Sequence, residues 1–194
     1  MSGTILVTGA TGLVGAALVS RLSESGYRVV ALRRAPPGDG SGPSWDPANR
    51  QVHLDPALSL DAVVHLAGES IAQRWTRATR ERIRNSRVDA TRLLCEALSQ
   101  SPRRPRVMVC ASATGFYGDR GGEVLDEQSS PGKGFLPEVC QAWEAAAAPA
   151  QRCGIRVVHL RLGIVLARHG GALAGMLPAF RLGLGARLGR GRQY

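Results

Sequence analysis

Three glycines, Gly9, Gly12 and Gly15, are spaced G-x-x-G-x-x-G between an aliphatic run, Thr4-Ile5-Leu6-Val7-Thr8, and an amphipathic stretch that starts at Leu13. Gly9 permits a tight turn, Gly12 lets backbone approach an anion, and Gly15 lets a helix pack closely on a strand. Thr11, Leu13 and Val14 complete a turn whose free N–H groups stand at the positive end of the helix dipole, the arrangement that holds a dinucleotide pyrophosphate. A tight strand-to-helix turn with no ligand would show the same glycines, so the flanking strand and helix carry the argument.

Arg33 and Arg34 close the next aliphatic run, Arg28-Val29-Val30-Ala31-Leu32. A site selective for NAD carries an acid there to bind the ribose hydroxyls, whereas guanidinium attracts a 2′-phosphate. NADP is therefore expected ahead of NAD; the competing reading is two solvated loop arginines. Further along, Ser112 and Thr114 follow the run Val107-Met108-Val109-Cys110-Ala111, with Tyr117 just beyond them.

The elements that must position these groups alternate. Val14, Leu18 and Leu22 mark a helix over 13–25, and Gly26 ends it. The stretch 35–49, rich in Pro, Gly, Ser and Asp, reads as a loop. Apolar runs recur at 62–66, 107–111 and 155–160, separated by a helix over 77–99 with Ile83, Ala90, Leu94 and Ala97 on one face. A second helix begins near Pro137, with Val139, Cys140, Trp143 and Ala147 turned inward. Continuously apolar strands alternating with helices predict an α/β fold, a doubly wound, mostly parallel sheet. A domain over 1–160 is expected, and 161–194 is glycine-rich without periodicity.

Of 25 Lys+Arg in 194 residues, Lys133 is the only lysine, and the net charge is +10. That balance admits nucleic acid, anionic substrates or a phosphorylated cofactor. Arg74, Arg77, Arg80, Arg84 and Arg87 recur at helical spacing, but few aromatics accompany them, so a solvated face with one or two arginines reaching an anionic substrate is favoured over nucleic acid. His53, His65, His159 and His169 stand singly and predict no metal site. Four dispersed cysteines and the absence of a signal or membrane span point to a reducing, cytoplasmic setting.

Taken together, Thr8 to Gly15, Trp45-Asp46-Pro47, His65 to Ala72, Arg74-Trp75-Thr76, Ser86-Arg87-Val88, Trp143-Glu144-Ala145-Ala146 and Leu160 to Leu166 resemble the extended short-chain dehydrogenases/reductases. Within the NAD-dependent epimerase/dehydratase superfamily they are most similar to the atypical branch called epimerase family proteins. The resemblance implies a Rossmann domain in which Leu66, Ala67 and Gly68 line the cofactor, Ser112 to Tyr117 lie beside the nicotinamide, and Leu162, Gly163 and Ile164 close over it. Typical members move protons with a tyrosine and a lysine four residues later. Matching the helices puts Cys140 at the tyrosine's place and Glu144 at the lysine's, with Ala113 at the usual hydroxyl. A carboxylate beside a thiol disfavours the thiolate, so Cys140 is weighed mainly as a pocket or core residue. Tyr117 is an alternative acid, and Ser112 is the group best suited to touch the reacting atoms. The resemblance also implies that 161–194 is the start of an incomplete substrate-binding portion.

The expected function is an NADP-binding oxidoreductase or epimerase-like protein transferring hydride to or from an unidentified small substrate. Its rival is a non-catalytic NADP-binding protein of structural or redox-sensing role, which the missing Tyr/Lys pair favours.

Overall fold

In the computed structural model, residues 3–35, 42–186 and 191 are described. Two compact units divide the chain, Met1–Gly163 and Ile164–Tyr194. Among the described residues the first holds seven strands: β1 (Thr4–Thr8), β2 (Arg28–Arg34), β3 (Ser44–Asp46), β4 (Gln51–His53), β5 (Ala62–His65), β6 (Val107–Ala113) and β7 (Arg156–Leu162). Its helices are α1 (Leu13–Glu24), α2 (Arg77–Gln100), α3 (Phe135–Ala145) and α4 (Ala148–Arg152). The sheet order is β4-β3-β2-β1-β5-β6-β7, parallel throughout except for the β3–β4 pair. The doubly wound α/β architecture expected from the alternation of runs is therefore present. Because the chain leaves β1 toward β2 on one side and returns to β5 on the other, the topological switch point lies between β1 and β5, where folds of this kind bind ligands.

The core forms where the strand centres meet α2. Leu6, Val63 and Met108 lie fully buried against Leu94, Cys95 and Leu98, and each buried leucine contributes about 2 kcal/mol by the area it removes from water. Thr76 starts α2 by accepting the Thr79 N–H on its side-chain oxygen. Ala97 is half-buried, and Leu98 takes the inward place beside Leu94.

Residues 35–49 are not all loop. Ser44–Asp46 forms β3, joined to β2 in parallel and to β4 in antiparallel register. Trp45, 3% exposed, drives this pairing by packing into the core with its ring edge-on to His65 at 5.9 Å. The Asp46 carboxylate then holds the turn by accepting from the Ala48 and Asn49 amides at 3.1 and 3.3 Å. Helix α3 starts two residues before Pro137 and ends at Ala145, yet Val139, Cys140, Trp143 and Ala147 are buried as the pattern required.

The second unit contains β8 (Leu166–Ala167), bridged to Gly170 and Gly171, and α5 (Gly171–Arg181), which carries Pro178 inside it. No periodicity had marked this helix, and no residue of it is buried. Ile164, Leu166, Phe180, Leu182 and Leu184 are exposed.

Candidate functional site

The glycine turn sits at the switch point, and its spacing is forced by backbone contact. Gly9 has φ +67°, and a Cβ there would meet the Leu66 carbonyl carbon and the Ala67 nitrogen, both at 2.9 Å. A Cβ on Gly15 would strike the Gly9 carbonyl oxygen. Gly12 differs: its Cβ would touch only the Gly9 oxygen, at 3.3 Å, and otherwise face open space. Gly12 caps α1 with no side-chain hydrogen bond, and no acid occupies the first turn, so the amides of Leu13, Val14 and Gly15 lie at an uncapped helix end. This cradle, open where only backbone can line it, fits a pyrophosphate. Thr11 is exposed at its rim.

A buried polar chain fixes the opposite wall. The Leu66 and Ala67 amides donate to Thr8 Oγ1 at 3.1 and 3.2 Å, and that hydroxyl lies 2.7 Å from His65 Nδ1. With both lone pairs of Thr8 taken, its proton goes to Nδ1, so His65 carries its hydrogen on Nε2 and donates to Thr91 Oγ1 at 2.9 Å. Thr91 also accepts from Trp143 Nε1 at 2.9 Å. Burial pushes the His65 imidazole down to about 4, which keeps it neutral. Four elements, β1, β5, α2 and α3, are thereby tied to the Leu66-Ala67 segment. Gly68 follows it, exposed.

At the end of β6 the hydroxyl of Ser112, itself 3% exposed, donates to Glu144 Oε1 at 2.6 Å. Arg161 on β7 grips the same carboxylate through Nε and Nη2, each at 3.0 Å. Its guanidinium lies 3.5 Å from the centre of the Phe116 ring, while Nη1 donates to Tyr117 Oη at 2.9 Å. The Tyr117 hydroxyl donates in turn to the Asp126 carbonyl at 2.8 Å. Burial pushes the Glu144 carboxyl up, but hydrogen bonds from Arg161 and Ser112 outweigh it and hold the group below its ordinary value. The same bond to Glu144 raises Arg161. Cys140, 4% exposed, is raised by burial first and by Glu144 second, so its thiol stays protonated.

The other residues singled out in the sequence fall as follows. Leu162 packs on the cluster of Val88, Ala111, Trp143 and Ala146, and Gly163 follows it at the end of the first unit. Ile164 belongs to the second unit and is 81% exposed. Arg33 and Arg34 are exposed at the end of β2, in register with Ser44 and Trp45. The arginine series is largely the solvated face expected: Arg74, Arg77, Arg80 and Arg84 are exposed, with Arg77 paired to Glu81 and Arg80 over Phe135, and Arg87 departs from it by folding inward over Trp143. No group of three His, Cys, Asp or Glu among the described residues can hold a metal, and no described helix is long and apolar enough to cross a membrane.

The sequence reading missed the role of Arg161 and the Thr8–His65–Thr91 chain. The signal for the first was a charge inside an otherwise apolar strand run, Leu160-Arg161-Leu162. Hydroxyls separated by 57 and 26 residues from one histidine left no local signal for the second.

Comparison with known proteins finds relatives of the same fold. The family model described as "NAD dependent epimerase/dehydratase family" matches residues 5–187. Epimerase family protein Mb2239 of Mycobacterium bovis is 40% identical over 191 residues, covering 98% of this chain and 63% of its own length. The crystal structure of human epimerase family protein SDR39U1 (isoform 2) with NADPH is 34% identical and superposes with a TM-score of 0.81, covering 98% of this chain and 63% of that one. A nucleoside-diphosphate sugar epimerase of Corynebacterium glutamicum, 40% identical, also gives 0.81, covering 98% of this chain and 40% of its own. The chain thus spans less than two thirds of the length of these relatives.

Proposed function

The chain belongs to the NAD dependent epimerase/dehydratase family, and from that premise we propose that it binds NADP and acts as an oxidoreductase or epimerase-like protein by hydride transfer at a carbinol carbon of a small substrate. The observation that carries this reading is the Gly9–Gly12–Gly15 cradle at the β1–β5 switch point. Arg33 and Arg34 at the end of β2, where an NAD-selective site has an acid, favour the phosphorylated cofactor. Gly9, Thr11, Gly12, Leu13, Val14 and Gly15 would hold the pyrophosphate, Leu66, Ala67 and Gly68 the wall beyond it, and Ser112, Leu162 and Gly163 the nicotinamide end; Ile164 is carried in this assignment by resemblance alone. The domain division at about residue 160 and a cytoplasmic setting belong to the same reading.

Bound nicotinamide supplies the hydride acceptor or donor. The protein's part is proton movement and orientation. A carbinol O–H placed against Ser112 donates to Oγ, and the Ser112 proton passes along its 2.6 Å bond to Glu144 as hydride leaves the carbon. In the reverse direction the same path returns the proton. Tyr117, with its proton on the Asp126 carbonyl, braces the loop, and Cys140 fills the wall.

One observation favours a second reading. Arg161 holds Glu144 ionised and fully engaged, which weakens it as a base and suits a non-catalytic NADP-binding protein. Calorimetric titration with NADPH, NADP, NADH and NAD, followed by a carbonyl and alcohol screen read by NADPH absorbance, separates the two. Tight binding of the phosphorylated pair with turnover supports the enzyme; binding with no turnover of any substrate supports the rival; no binding at all removes both.

A further inference from the structure

Arg87 is a half-buried cation beside Gly68 that forms no ion pair with a described carboxylate, although the Glu69 charge acts on it from beyond that distance. Its Nη1 donates to the Ile83 carbonyl at 3.1 Å and approaches Ser86 Oγ at 3.4 Å, and its guanidinium lies 5.2 Å from the centre of the Trp143 ring. Nε and Nη2 donate to no described residue, and no described carboxylate lies within ion-pair distance. The neighbouring acids bond elsewhere, and Glu69 reaches Arg87 only through its charge. Glu69 accepts from the Gln73 amide, while Glu144 is gripped by Arg161. The contrast between the two arginines is direct: the Nε–Nη2 edge that Arg161 sets against Glu144 is the edge that Arg87 leaves open. Burial pulls Arg87 below its ordinary value, the mark of a cation held partly out of water.

The backbone beside it is shaped to leave this group room. A Cβ on Gly68 would come within 3.3 Å of Arg87 Cζ and 3.4 Å of Nη2. Ser86 holds the segment in place by accepting the Glu69 N–H at 3.0 Å. Arg87 lies over Trp143, one turn of α3 from Cys140, and its charge acts on that thiol, so it stands near the groups assigned above to the nicotinamide end.

We propose that Arg87 binds an oxyanion on the substrate, a carboxylate or a phosphate, through its open Nε–Nη2 edge beside Gly68, making it the residue that selects an anionic substrate. The planar fork matches either group with two parallel hydrogen bonds. This inference rests on the cofactor reading of the same crevice, with the anion lying beyond the nicotinamide end.

The test is calorimetry of the whole chain with oxalate and with inorganic phosphate, each with and without saturating NADPH, for the wild type, Arg87→Met and Arg87→Lys. At least one anion is expected to bind the wild type, at least tenfold more weakly to Arg87→Met and to an intermediate degree to Arg87→Lys, with NADPH affinity within twofold throughout. The anion bound more tightly identifies the substrate group. Wild type that binds neither anion, variants that bind them as wild type does, or a tenfold loss of NADPH with anion binding intact would each overturn the assignment. Should Arg87→Met fail to fold, Arg87→Lys decides, since it keeps the charge and loses the fork. If the wild type binds no NADPH yet binds an anion through Arg87, the cofactor reading falls and this one stands.

Discussion

Arg161 and Glu144 face each other across the β6 end as a two-bond fork, 3.0 Å in each arm, with side chains only 19% and 16% exposed. Removing one partner leaves the other charge stranded out of water, so Glu144→Gln or Arg161→Met is expected to cost about 3 kcal/mol of stability. The double variant is expected to cost less than the sum of the two. Urea unfolding of the four proteins in a double-mutant cycle measures the coupling; additive losses would show that the fork contributes nothing as a pair.

The glycines separate by what surrounds them. Gly15→Ala drives a methyl into the Gly9 carbonyl, where only backbone can yield, and is expected to lower stability by about 1–3 kcal/mol or more. Gly12→Ala meets one atom at 3.3 Å and is expected to leave the melting temperature nearly unchanged while weakening NADPH at least tenfold. Equal thermal shifts in the two variants would contradict this division of labour.

Charge reversal at the end of β2 tests cofactor choice. Arg33→Glu is expected to weaken NADP ten- to a hundredfold, the effect of losing about 1.5–3 kcal/mol of charge-assisted bonding, and to change NAD little. Parallel titrations with both cofactors check it, and equal losses would remove the case for selectivity.

The neutral, buried His65 makes stability depend on acid. Its pKa falls from 6.5 unfolded to about 4 folded, so the unfolded chain binds the extra proton between those values. The contribution is complete above pH 6.5 and declines as pH falls toward 4, where about 3 kcal/mol has been lost and the slope levels off. Urea midpoints measured across that window should show the decline, and His65→Gln should flatten it.

Thiol chemistry distinguishes wall from nucleophile. Cys153 is half-buried, whereas Cys95, Cys110 and Cys140 are buried, and burial pushes the first two of these up to about 12. Iodoacetamide at pH 8 is expected to label Cys153 first and the others only on unfolding, and Cys140→Ala should leave NADPH affinity within twofold. Rapid labelling of Cys140 in the folded chain would revive it as a reactive group.

The parallel sheet and the glycine cradle were legible because both are local: apolar runs bounded by helices, and three glycines between a strand and a helix. Strand β3 was hidden because Pro43 and Pro47 bracket three residues whose pairing is decided by one buried indole, Trp45. Helix α5 was hidden although Leu173, Met176, Leu177 and Phe180 follow helical spacing, because Gly171, Gly175 and Pro178 within the same run read as breakers. Within the site, Cys140 and Glu144 were placed by resemblance, but the fork from Arg161 joins residues 17 apart on different elements. The inward turn of Arg87 depends on a glycine, Gly68, far from it in sequence, while its spacing alone matched a solvated helix face.

Two of the three tryptophans bracket His65, Trp45 through its ring edge and Trp143 through a shared threonine. The segment Leu66-Ala67 is hung from the same imidazole through Thr8. Any displacement of that segment therefore alters the surroundings of two indoles at once, giving the protein a built-in optical reporter. Near-ultraviolet circular dichroism, read without a label, registers events at the crevice wall.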